Sequence, residues 1–108
     1  MSILRTVCAA LAIMWATTGC TEVVPRVTPE FMARVQAVAP TADERHISAG
    51  RVIYVNHCGS CHAMPAPTSV PIDRWPQVMD VMARKSHLRP GERQDIDRYI
   101  AAVNEAAR

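Results

Sequence analysis

Cys58-Gly59-Ser60-Cys61-His62 brings two thiols three positions apart, with an imidazole directly after them. Two thiols at this spacing can add across the two vinyl groups of one porphyrin, which welds it to a single turn of backbone. This is the pattern that attaches a c-type haem. His62 then lies under the ring, where a neutral imidazole nitrogen binds iron as the proximal ligand. Cys-x-x-Cys has other uses, as a thiol redox site or part of a zinc site. A thioredoxin-like site needs a βαβ context that this sequence lacks, and zinc needs a second Cys/His pair that it also lacks.

Iron held from one side by an imidazole leaves its opposite side for a second ligand. Trp75, Met79 and Met82 recur at i, i+4 and i+7, with Val78 beside them, so the sulfurs fall on one helical stripe. A methionine stripe is ordinarily core; beside a haem motif it also offers iron a thioether. Between motif and stripe, Pro65, Pro67 and Pro71 exclude a helix or a central strand. Such a stiff loop suits a chain edging round a flat cofactor, with Met64 against the haem edge. A prolyl carbonyl, of Pro65 or of Pro67, can accept the proximal imidazole N–H, as a metal-bound His requires. His57 ends a helix, where the dipole favours it; His46 and His87 face solvent. No paired carboxylates and no Ser/His/Asp set are apparent.

The elements that must position these groups read as helices. Residues 1–19 form an export signal, with Arg5 in the n-region and a mostly apolar stretch from Thr6 to Thr18. That stretch falls short of the roughly 20 residues that span a bilayer. Thr17-Thr18-Gly19-Cys20 resembles a bacterial lipoprotein cleavage box, with Thr17 in place of the usual Leu, and makes Cys20 the lipidated first residue. Thr21 is not the Asp associated with inner-membrane retention, so the same resemblance favours the outer membrane, facing the periplasm. Cys8 leaves with the signal, Cys20 takes lipid, and Cys58 and Cys61 take haem, so none of the 4 cysteines remains for a disulfide. Residues 20–40 are a tether punctuated by Pro25, Pro29 and Pro40. Within it Thr28-Pro29-Glu30 can cap a short helix to Val38, with Phe31, Val35 and Val38 on one face. That segment is either a docked helix or a semi-extended linker.

Residues 41–108 form the folded domain. Thr41-Ala42-Asp43-Glu44 is a capping box opening a helix to about His57. Gly50 in mid-helix costs about 1 kcal/mol relative to Ala, which close approach of another helix would justify. Asp73 caps a second helix to about Lys85, with Pro76 in its first turn. Pro90 or Gly91 starts a third, to about Ala106, with Ile96, Tyr99, Ile100 and Val103 on its apolar face. Tyr99 is the natural partner for the groove at Gly50. The expected fold class is all-α, about three core helices around a covalent haem. One domain is the ceiling for 108 residues, and at this size a covalent or metal staple is commonly needed. Net charge is +2 with both signs interspersed, so no nucleic-acid patch is present.

Gly50-Arg51-Val52-Ile53-Tyr54, the Cys58–His62 motif, Pro65, Trp75-Pro76-Gln77-Val78, Met82, Leu88 and Asp95-Ile96-Asp97-Arg98-Tyr99-Ile100 together resemble the small monohaem class I cytochrome c family over roughly residues 41–106. The resemblance implies helices around a buried haem, with the first and last crossing. It also implies a Met as sixth ligand and one-electron transfer rather than an enzyme activity. The axial Met of similar bacterial chains stands seven residues after the Trp, which is Met82 here; Met79 stands where an aliphatic packing residue is usual. The family's Gly-Pro-Leu loop and long distal Met loop are absent, so the distal ligand must come from a helix. The expected function is a periplasmic one-electron carrier with a single haem c on His62 and Met82. The domain is expected to be monomeric, exchanging electrons with another redox protein. The alternatives are a haem enzyme or gas sensor with an open distal position, and a non-haem Cys-x-x-Cys redox or zinc module.

Overall fold

The computed structural model describes residues 23–58 and 64–108. Cys20, Cys61 and His62 lie outside them. The described chain is all-α, with helices α1 (Pro29–Val38), α2 (Glu44–Ile53), α3 (Trp75–Lys85) and α4 (Pro90–Ala106). A π-helical turn, Tyr54–Cys58, continues α2, and a 3₁₀ turn, Ile72–Arg74, precedes α3. No strand occurs among the described residues.

α1 starts where its cap dictates. The Thr28 hydroxyl accepts the Phe31 N–H at 3.1 Å and Pro29 supplies a preset first turn. Of the two readings of this segment, the docked helix is the observed one. Phe31, Met32 and Val35 are buried as α1 packs on α4, whereas Val38 is 55% exposed. The contact face is thus Phe31–Met32–Val35, with Met32 where the sequence pattern put Val38. Just before α1, Val24 is buried, and the Arg51 side chain donates to the Val24 and Pro25 carbonyls at 3.3 and 2.9 Å. The Tyr99 hydroxyl adds a third bond, to Pro25, at 2.8 Å. Among the described residues, Val24 is thus already part of the folded body.

α2 opens two residues later than the expected capping box. Asp43, in extended backbone, is the N-cap and accepts the Arg45 N–H at 2.9 Å. Asp caps at least as well as Thr, and this choice moves Glu44 from the third helical position to the first. α2 also stops short of His57, where the backbone widens into the π turn. Asp73 is not a helix cap either; it lies inside the 3₁₀ turn, and α3 begins at Trp75 with no side-chain cap. Pro76 still falls in the first turn, where a missing N–H costs nothing. α4 matches its expected span, and Glu92 reaches back to the Arg89 N–H at 2.8 Å.

The core centres on the crossing of α2 and α4. Gly50 is buried there, and a Cβ on it would lie 1.9 Å from the Asp95 carbonyl oxygen and 2.9 Å from Tyr99 Cβ. The close approach inferred for Gly50, and its Tyr99 partner, are both present. Ile47, Ile96, Tyr99 and Ile100 bury around the crossing, each contributing roughly 1.5–3 kcal/mol. His46 is not solvent-facing as expected: it is half-buried, and its Nδ1 lies 2.8 Å from Asp95 Oδ1. Asp95 also takes Arg98 at 2.9 Å, so one carboxylate ties both helices at the crossing.

α3 ends in a turn that satisfies its last carbonyls. The Leu88 N–H bonds Ala83 O at 2.9 Å around His87, which adopts φ 54°. That left-handed position suits glycine. His87→Gly should therefore stabilise the fold by about 0.5–1 kcal/mol, read as a rise in the urea midpoint.

Candidate functional site

Five of the expected site residues meet in one cavity of about 220 Å³: Cys58, Pro65, Trp75, Met79 and Met82. Three segments build it. α3 supplies Trp75, Val78, Met79, Met82 and Lys85 from one face, at i, i+3, i+4, i+7 and i+10. The π turn supplies Tyr54, His57 and Cys58, and the proline loop supplies Pro65. A π-helical turn carries an extra residue and re-aims the side chains that follow, and such turns concentrate at functional sites. Here it delivers Cys58 to the cavity wall. Met64 does not line the cavity; it is half-buried against the hydrophobic core.

The two methionines on the stripe differ in burial. Met79 is 1% exposed and belongs to the core, whereas Met82 is only half-buried. Protein atoms alone satisfy Met79. Met82 keeps surface on the cavity that a bound group would cover.

The loop is held by donors from three elements. Trp75 Nε1 donates to the Pro67 carbonyl at 2.8 Å, and Asn104 Nδ2 to the same oxygen at 3.2 Å. The Tyr54 hydroxyl donates to the Pro65 carbonyl at 2.5 Å. Both prolyl carbonyls named from the sequence are therefore in use. That of Pro67 has both lone pairs engaged, while that of Pro65 has one donor among the described residues. Trp75→Phe keeps an aromatic ring but leaves a buried carbonyl one donor short and a gap beside it. Its expected cost is about 2–3 kcal/mol by urea unfolding.

Burial sets the protonation of the groups nearest the motif. It pushes the Cys58 thiol above its ordinary pKa, so that in the free-thiol chain this sulfur is protonated at neutral pH. Burial likewise holds the Tyr54 phenol well above its usual value, with Cys58 and Tyr99 adding to the shift.

The lining chemistry fits a flat apolar macrocycle. The walls are aromatic, aliphatic and thioether groups, a cysteine stands in one wall, and a proline carbonyl in another. Lys85 and Ser86 bring polar groups at the C-terminal end of α3. These two, with Tyr54 and His57, were not named as site residues from sequence, whereas Val78 was placed beside the stripe; the periodicity of α3 from Trp75 onward would have found Lys85 as well. Among the described residues no three His, Cys, Asp or Glu side chains group to hold a metal ion, and no helix is long and apolar enough to cross a membrane. Comparison of the chain with protein-family models, with characterised proteins and with solved structures finds no match.

Proposed function

We propose that this chain is an extracytoplasmic one-electron carrier of the cytochrome c type, bearing one haem c. The observation that carries the reading is the cavity shared by Cys58 of the haem-attachment motif and Met82 of the distant α3 stripe. In this reading Cys58 and Cys61 hold the haem through thioethers, His62 and Met82 ligate its iron, and Trp75, Val78, Met79 and Tyr54 pack the site. Met82 is preferred to Met79 because Met79 is already consumed by the core. When bound, the haem supplies an iron that cycles by one electron, at a potential raised by thioether ligation and burial.

The chain's own residues supply the rest. The stripe on α3 and the buried Tyr54 exclude water from the site. The loop bonds from Tyr54, Trp75 and Asn104 hold its walls in place. A rigid surround keeps ligand geometry alike in both oxidation states, which is what fast electron transfer requires.

Residues 1–19 then serve as the export signal and Cys20 as the lipidation site, placing the domain in the periplasm on a membrane, with the outer membrane favoured. Only Thr21 to Val23 separate Cys20 from the buried Val24, so the reach from lipid to folded body is at most about 10–14 Å. The electron donor and acceptor are other redox proteins, and at least one must come to that membrane surface.

The exported, matured protein tests this reading by its spectrum. A low-spin c-type haem in both oxidation states, slow to bind carbon monoxide, is expected. A high-spin reduced spectrum with rapid carbon monoxide binding would instead indicate an open distal position.

A further inference from the structure

We infer that α3 is a hinged lid on the cavity, latched from α4 by Arg93, that tilts outward to admit a haem-sized group; the identity of that group rests on the haem reading above. The cavity, at about 220 Å³, is smaller than the roughly 300–1,000 Å³ that ordinarily buries a drug-sized ligand. A flat macrocycle with its substituents needs the upper part of that range. One wall must therefore move. Tyr54, on the opposite wall, is 1% exposed and fixed in the core, which leaves α3.

α3 is anchored at one end. Its buried residues are Trp75 and Met79, both in its first half, and Trp75 is also bonded to the Pro67 carbonyl. From Asp80 to Lys85 every residue is half-buried or exposed, whereas α4 buries Ile96, Tyr99, Ile100, Ala102 and Val103 along its length. The free half of α3 carries Met82 and Lys85 to the cavity and ends in the left-handed turn at His87. An element with so few buried side chains opens at lower free energy than the core. The exposed 3₁₀ turn before α3 and the His87 turn after it are the hinges that absorb a tilt. The latch crosses from α4. Arg93 donates to Asp80 Oδ1 at 2.6 Å and to the Pro76 carbonyl at 3.4 Å, while Asp97, one turn along α4, lies 3.5 Å from Arg93 Nε and aims it across. Asp80 is 57% exposed and does not line the cavity, so the pair holds the closed position without joining the site. Exposed pairs are weak, which is what a latch that must release requires.

Hydrogen exchange of the matured protein, read peptide by peptide in the mass spectrometer, tests the lid. The segment Val81–Leu88 should exchange about tenfold or more faster than Ile96–Val103, through an opening of its own. Asp80→Asn removes the latch and should speed exchange of Val81–Leu88 about two- to fivefold, the worth of one exposed pair, leaving Ile96–Val103 unchanged. Arg93→Gln should do the same from the other side of the pair. In the haem-bearing protein, free imidazole should bind ferric iron at a rate that levels off with concentration at the opening rate of α3, and Asp80→Asn should raise that ceiling by the same factor. Exchange of both segments through one shared opening, or variants that leave Val81–Leu88 unchanged or speed both segments alike, would overturn the lid. The mass of the whole chain comes from the same experiment. Absence of haem there refutes the haem reading while the exchange pattern still decides the lid, whereas haem present without that pattern refutes the lid alone.

Discussion

Gly50→Ala is expected to cost about 3 kcal/mol or more, enough to leave the haem-free chain largely unfolded. Two effects oppose each other. Replacing glycine by alanine in a helix interior favours the helix by about 1 kcal/mol. Against that, the new methyl carbon would sit 1.9 Å from the Asp95 carbonyl oxygen, which is backbone and cannot rotate away. α2 and α4 would have to part, loosening Ile47, Ile96, Tyr99 and Ile100 together with the His46–Asp95 contact. Overpacking ordinarily costs about 1–3 kcal/mol, and a backbone clash at the centre of the core belongs at the top of that range or beyond. A small domain has only about 5–15 kcal/mol in total. Urea unfolding checks this directly; an unchanged or raised midpoint would mean that the crossing is looser than the structure has it.

Met82→Ala and Met79→Ala should separate cleanly. Met82→Ala removes a half-buried side chain, so its cost to the haem-free fold is small, about 1 kcal/mol. In the matured protein it should turn the iron high-spin, admit carbon monoxide rapidly, and shift the redox equilibrium about tenfold or more toward the oxidised state. Met79→Ala opens a hole in the core and should cost about 2–5 kcal/mol, while the low-spin spectrum survives in whatever remains folded. Absorbance spectra and urea melts of the two variants supply both readouts. The reverse pattern would exchange the roles of the two sulfurs.

Features that depend on local chemistry were legible in the sequence. Thr28 with Pro29 marked the start of α1, Pro90 that of α4, and the spacing of Trp75, Met79 and Met82 put them on one face of α3. The cost of a mid-helix glycine pointed to a close approach at Gly50, and Tyr99 fills it. Features that depend on distant partners were not legible. Thr41 and Asp43 are both good caps, and only the path of the chain into α2 decides for Asp43. His46 reads as a surface residue until α4 brings Asp95 to it, 49 positions away. The Arg51 and Tyr99 grip on the Val24 and Pro25 carbonyls joins an apparent tether to the core through bonds that no local pattern announces. At the site, composition could nominate two prolyl carbonyls, but only their donors distinguish them.

The central claim is that Cys58 and Cys61 hold one haem. Mass spectrometry of the protein, expressed with its export signal in a host that matures c-type cytochromes, tests it most directly. The account predicts the mass of one haem added to the chain and retained after acid–acetone extraction, on the proteolytic peptide that spans Cys58–His62. A correctly exported protein whose peptide carries two free or disulfide-linked thiols and no haem mass would contradict it.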